Sequence, residues 1–305
     1  MAVELEEPST VDLLGGDPGL ERARSRRPLF SLPWKLRTDI ALAIGCAIVG
    51  IYLVVAIFAP YIAPYSPTHQ DFSAILAPPS LHHLLGTDQL GRDVLSRIIY
   101  GARVDLLIAA AGSVLAFLLG TIVGATSGYI GHWVDVVLTR LMDMSQVMPF
   151  LIFAPVILLV VGASVKGIIV AFALSDWILY ARLARSKALV LRDLDFVSAA
   201  RLGGLNRRRI LRHHMLPNLL NESLVFLAMD MILEIAAIAA LGYLGIGVQP
   251  PTPEWGQIMY SGQAFLNTKP WIIIAPGVAI VILGIGLSLI SDSLLARQAA
   301  RQRGA

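Results

Sequence analysis

Three acidic side chains stand inside stretches that are otherwise apolar: Asp176, and, one helical turn apart, Asp230 and Glu234. Carboxylates are costly in such surroundings and normally face a bundle interior or a wet cavity, where they handle protons or cations. Like charges at i,i+4 repel, so water, a partner chain, a bound cation or protonation must relieve Asp230 and Glu234. The three are expected either to line a path through the bundle, favouring cationic solutes, or to bond structurally to a partner subunit. A second group comprises Thr87, Asp88, Arg92, Asp93 and Arg97. If Thr87 caps a helix, Asp88 with Arg92 and Asp93 with Arg97 are i,i+4 pairs, each worth only about 0.3 to 0.5 kcal/mol when exposed. That predicts a solvated scaffold helix or a landing surface for an external protein. His82 and His83 are adjacent and would not face one another on a helix, so no metal site is expected there.

Catalytic constellations are missing. The sequence contains no G-x-x-x-x-G-K-[ST] phosphate loop, no G-x-S-x-G and no H-E-x-x-H, which excludes an ATPase, a serine hydrolase of that type and a zinc peptidase. The single cysteine, Cys46, permits neither an intramolecular disulfide nor a cysteine metal cage. No enzymatic activity, cofactor, metal or nucleic acid is expected on this chain.

The elements that must position these residues belong in a membrane. The 305 residues are 56% hydrophobic and only 15% charged, with mean hydropathy +0.71, far below the roughly 25% charge of a soluble domain. Six stretches approach the roughly 20 apolar residues needed to cross about 30 Å of hydrocarbon: about 40–59, 106–128, 147–163, 167–183, 219–245 and 271–290. The predicted organisation is all-α. An N-terminal tail covers 1–37, a first transmembrane helix 38–60, an outer loop 61–103, a five-helix core 104–293 with an inner loop at 182–217, and a tail 294–305. The tail opens with Glu4, Glu6, Glu7 and Asp12, turns basic from Arg22, and is too long and polar for a cleaved signal peptide. With the N-terminus inside, 19 of the 24 basic residues fall on the inner side, so both termini are expected in the cytoplasm. In the second span Ala116, Gly120, Gly124 and Gly128 recur every fourth residue, a seam for close helix packing.

The inner loop carries nine basic residues between Arg182 and Pro217. Its grammar predicts two short helices. Asp195 is expected to cap the first, which continues through Phe196, Val197, Ser198, Ala199, Ala200, Arg201 and Leu202 until Gly203 and Gly204 stop it. Asn206 is expected to cap the second, which runs through the Arg207 to His214 region until Pro217 opens the next membrane helix. A helix this short is marginal alone, so its small and apolar residues are expected to sit on another surface: a protein groove or the anionic inner leaflet.

The same segment resembles the inner-loop signature of ABC-importer permeases: Glu-Ala-Ala, three residues, Gly, nine residues, an aliphatic residue, any residue, Leu-Pro. Ala199, Ala200, Gly204, Leu216 and Pro217 match, while Ser198 replaces the Glu and His214 the aliphatic residue. HHLLGTDQLGRDVLSRIIYGARVDL (82–106), RLMDMSQVMP (140–149), WILYARLARS (177–186), LGYLGIGVQPPTPEWG (241–256) and PWIIIAPG (270–277) are similar to the C-type permeases of the dipeptide, oligopeptide and nickel branch. Two departures occur: Ile238 stands where Glu is expected, and the end of the last span keeps Asp292 but lacks the usual Asn and Arg-Asp.

This resemblance implies a six-helix type I importer permease in a bacterial cytoplasmic membrane, paired with a sister permease, two ATPase subunits that bind ATP and magnesium, and an extracytoplasmic solute-binding protein. Asp195 to Gly204 would be the coupling helix held by an ATPase subunit. Asp88, Arg92, Asp93 and Arg97 would face the solute-binding protein, and the solute would be a peptide or a small relative such as nickel. A secondary transporter or channel is the competing reading; it would show inverted repeats or broken helices.

Overall fold

The computed structural model describes residues 34–303; the acidic and basic stretches of the N-terminal tail up to Arg27 lie outside them. Among the described residues there is no β-strand, only an isolated bridge between Thr87 and Asp93. Helix α1 (Trp34–Ile57) and the single turn α2 (Ala59–Ile62) lead into an irregular segment that ends at Asp93. Then follow α3 (Val94–Ile130), α4 (His132–Ser145), α5 (Phe150–Val161) and α6 (Val165–Leu191). Two short helices, α7 (Asp195–Leu202) and α8 (Arg207–Ile210), pass through a π-helical turn at Leu211–Met215 into α9 (Leu216–Tyr243). A hairpin carrying α10 (Trp255–Gly262) leads to α11 (Trp271–Arg303).

Five of these helices, α1, α3, α6, α9 and α11, are long and apolar enough to cross a membrane. The third expected crossing is not one straight helix: α4 and α5 meet at 92° and make a sixth span only if the bent pair counts as one. Pro149 stands at the elbow, and a proline both lacks the amide donor and drives the preceding residue out of helical geometry. The 12 residues of α5 reach only about 18 Å, short of the hydrocarbon thickness. The elbow is fastened by Arg185 of α6, whose Nε and Nη2 donate to Asp135 of α4 at 2.6 and 2.7 Å.

The second crossing also begins earlier than its hydropathy suggests. Asp93 caps α3 by accepting from the Ser96 amide at 2.7 Å, so the helix takes in Val94 to Arg103, residues expected in a loop. The last helix likewise runs unbroken through the expected tail as far as Arg303.

The centre of the bundle is the α3–α6 pair. A Cβ placed on Gly120, Gly124 or Gly128 would run into the α6 carbonyls of Trp177, Ala181 and Arg185 respectively. The seam seen in the sequence therefore lets one backbone lie directly on another, which only small residues allow. Around it Ile108, Ile168, Phe172, Ile238, Trp255 and Leu283 form the main apolar core. Ile238, where the resemblance led us to expect Glu, is a fully packed member of that core, which explains why an apolar residue suits it. Outward-facing side chains such as Ile51, Leu107, Leu159 and Val281 are exposed and apolar, as a lipid-facing surface requires.

Candidate functional site

At the basic end of the bundle α7 hangs between α6 and α9. Its start differs from the sequence expectation: Leu194 occupies the capping position without a side-chain bond, and Asp195 lies in the first turn, where a carboxylate still favours the helix dipole. The stop is as expected, since α7 ends at Gly203 and Gly204 takes φ +78°. Asn206 Oδ1 accepts from the Arg209 amide at 2.8 Å, capping α8.

One side chain anchors α7. Val197 is fully buried among Ala125, Tyr129, Ala188, Ile210, Met215 and Leu219, which corrects its expected place on the docking face. Ala200 packs against the edge of the same cluster, and the Arg201 guanidinium lies 5.5 Å from the centre of the Tyr129 ring, a cation–π distance. Ser198, Ala199 and Phe196 remain exposed, and Leu202 is 90% exposed. So α7 is fixed to the ends of α3 and α9 on one side and leaves an apolar knob unpartnered on the other.

Deeper in the bundle the structure brings Asp176, Asp230 and Glu234 together. One carboxylate oxygen from each lies within 4.8 Å of the others. Asp176 is partly buried, whereas Asp230 and Glu234 are only 2% and 1% exposed. In this conformation the latter two therefore line no open path. Tyr180 donates its hydroxyl to Asp230 Oδ2 at 2.8 Å. The Ser113 hydroxyl faces the carboxylates of Asp230 and Glu234 without reaching ordinary hydrogen-bond geometry, and neither Glu234 oxygen has a partner. Sequence reasoning missed Tyr180, Gly112 and Ser113. A signal existed for Gly112: it continues the four-residue step of the glycine seam, and a Cβ there would stand 2.9 Å from Glu234 Oε2.

The second charged group is not a solvated helix. Thr87, Asp88, Arg92, Asp93 and Arg97 are all buried, and Thr87 caps nothing; its hydroxyl donates to the Ala74 carbonyl. Asp88 accepts from Arg92 Nε at 2.7 Å and from the amides of Leu90 and Arg92 at 2.9 and 3.0 Å. Arg97 pairs with Asp88 at 3.7 Å, not with Asp93, and donates through Nη2 to Gln257 of α10 at 2.7 Å. Asp93 is occupied by the α3 cap and by His83 Nδ1 at 3.0 Å. These side chains are thus internal struts, and a landing surface cannot be built from them directly. The reason is distant in sequence: α10 folds over them, with Trp255 fully buried and its indole donating to the Ile98 carbonyl at 3.0 Å.

Beside the struts Glu254 accepts from the amides of Gly256 and Gln257 at 2.5 and 2.8 Å and caps α10. Burial pushes its carboxyl up from 4.5 to about 7, against the opposing pull of those two amides.

With this geometry in place, the comparisons with known proteins are specific. Residues 97–304 match the family described as binding-protein-dependent transport system inner membrane component, and residues 34–79 match the N-terminal transmembrane domain of oligopeptide transport permease C. A dipeptide transport system permease protein of Alkalihalophilus pseudofirmus is 34% identical over 267 residues, covering 86% of this chain and 88% of its own. A di/tripeptide transport system permease protein of Pseudomonas aeruginosa is 36% identical over 245 residues, covering 78% and 81%. Among solved structures, an inward-facing form of the MetNI methionine ABC transporter superposes with TM-score 0.53 at 19% identity, over 66% of this chain and 95% of that one. That similarity supports the fold alone. The bundle, the loop signature and the two matched segments together place this chain in the family of binding-protein-dependent transport system inner membrane components, as a multi-pass permease of the C-type found in peptide importers.

Proposed function

We propose that the chain forms one half of the conduit of an ABC importer that moves di- or oligopeptides, or a related small solute such as nickel, across the cytoplasmic membrane of a bacterium. The observation that carries this reading is α7, an eight-residue helix held by one buried valine and presenting Phe196, Ala199 and Leu202 outward. Such a knob suits a groove on an ATPase subunit. The chain has no phosphate loop of its own, so ATP and magnesium belong to two separate ATPase subunits, and motion enters the bundle through Asp195 to Gly204. Relatives named for peptide transport support the solute class.

A sister permease completes the conduit. The apolar groove at the α4–α5 elbow, a cavity of about 810 Å³ lined by Leu141, Met144, Val147, Met148, Phe153 and Trp177, offers it a seat. An extracytoplasmic binding protein delivers the solute to the opposite end. In this arrangement both termini of the chain are cytoplasmic.

The test is uptake and ATP hydrolysis by the reconstituted transporter carrying Gly204→Pro or Ala200→Arg. Proline fixes φ near −65° and cannot adopt the +78° of Gly204, and arginine at position 200 disturbs the apolar cluster that anchors α7. Both variants are expected to insert normally and to lose solute-stimulated ATP hydrolysis and uptake. Normal stimulated hydrolysis in both, or failure of ATPase subunits to copurify with the wild-type chain, refutes the assignment.

A further inference from the structure

Three carboxyl groups packed together inside a helix bundle must either keep their protons or have their charge balanced by a cation. The groups acting on Asp176, Asp230 and Glu234 are one another, Ser113, Ser175 and Tyr180; no Lys, Arg or His is among them. None of the ion pairs among the described residues involves them either. Buried charge without a partner costs several kcal/mol, and two wholly unpartnered carboxylate oxygens on Glu234 are a rare feature for a group only 1% exposed.

We infer that Asp176, Asp230 and Glu234, together with the Ser113 hydroxyl, form a binding site for one hard divalent metal cation within the helix bundle. Three observations carry this. First, oxygens bound to one such ion at about 2.0 to 2.6 Å lie at most about 5 Å apart, and the three carboxylates already meet that limit at 4.8 Å. Second, Ser113, fully buried on α3, turns a hydroxyl toward Asp230 and Glu234 that closes no bond of its own. It is a neutral oxygen donor aimed into the cluster from a third helix. Third, Gly112 lets α3 approach Glu234 so closely that a Cβ would stand 2.9 Å from Oε2, which holds the carboxylate toward the other two acids.

The donor set is oxygen only, which selects the magnesium, calcium and manganese class over softer metals. Tyr180 restrains Asp230 through its hydroxyl at 2.8 Å and leaves the other Asp230 oxygen for the ion. Asp176, the one partly exposed member, gives the entry side. An ion here would tie α3, α6 and α9 at one point. The inference goes beyond the proposed transport role, since it holds whichever solute is carried.

The experiment uses the assembled transporter in lipid nanodiscs, stripped with chelator and free of nucleotide, titrated with Mn²⁺ and read by the loss of the free Mn²⁺ paramagnetic signal. The wild type is expected to bind one Mn²⁺ more per copy of this chain than the Asp230→Asn/Glu234→Gln double variant, and Ca²⁺ should displace that ion. Ser113→Ala should weaken the same binding roughly tenfold. Equal Mn²⁺ binding by wild type and double variant overturns the site and leaves protons as the balancing charge. If the double variant does not assemble, Asp176→Asn and Ser113→Ala decide: unchanged affinity in both overturns the inference. Uptake and copurification of ATPase subunits test the transport role separately.

Discussion

The Asp88 cluster and the Asp176–Asp230–Glu234 cluster are both buried and both lean on α3, yet only the first contains its own counter-charges. Around Asp88 two arginines, two backbone amides and Gln257 satisfy most of the charge within the chain. Around Glu234 the neighbours are further acids and hydroxyls. A permease needs rigid ground where it must not deform, and internal ion pairing supplies that at the α10 end. A cluster left uncompensated in mid-bundle is instead open to whatever ion or proton reaches it. The two regions should therefore respond with opposite sign to the removal of one carboxylate.

The largest effect is expected from Asp88→Ala. It leaves Arg92 and Arg97 buried without their carboxylate and strips an acceptor from two amides, a loss of about 3 to 5 kcal/mol, measurable as a lowered Tm of the detergent-solubilised chain. A smaller loss, about 1.5 to 3 kcal/mol, is expected for Tyr180→Phe, which removes the hydroxyl donated to Asp230. Glu234→Gln should reverse the sign. In chelator it removes one buried, unpartnered carboxyl group from beside two others and should raise stability by about 1 to 2 kcal/mol, while abolishing any rise in Tm on adding Mn²⁺ or Ca²⁺. Loss of stability in chelator would erase the contrast between the clusters.

The finest test uses pH. Glu254 is raised from 4.5 to about 7 by burial, so between those values the folded chain binds more protons than the unfolded one. Its contribution to stability then falls as pH rises across that interval and is constant above it. Glu254→Gln is expected to flatten the slope of Tm against pH from about 4.5 to 7.

What the sequence made legible depended on how local the signal was. Gly203-Gly204, Asn206 and Pro217 each act within a few residues, and α7 ends and α8 begins where those signals put them, although α8 gives way to the π-helical turn at Leu211 rather than running on to His214. The seam of α3 was equally readable, because a four-residue step survives whatever helix lies opposite. By contrast, hydropathy over 147–163 registers apolar content but not the turn that Pro149 imposes. The Asp88 cluster looked like a surface helix because its cover, Gln257 and Trp255, stands some 160 residues away. The acids at 176, 230 and 234 could be flagged singly, but their meeting is a tertiary fact, and Ser113 carries no label in a run of small residues.

Helix α3 has a consequence of its own. It is a continuous rod of 37 residues, with Arg97 near its start, Ser113 midway and Tyr129 close to its end. At about 1.5 Å per residue the two intervals are each about 24 Å. With its middle and far portions laid backbone to backbone on α6, the rod can roll or tilt but has little freedom to bend. The charged struts, the acid cluster and the anchored helix α7 are thus set along one shaft, and a displacement at one station reaches the others in the same instant rather than by relay. Synchrony, more than strength, is what such a shaft contributes to a transport cycle.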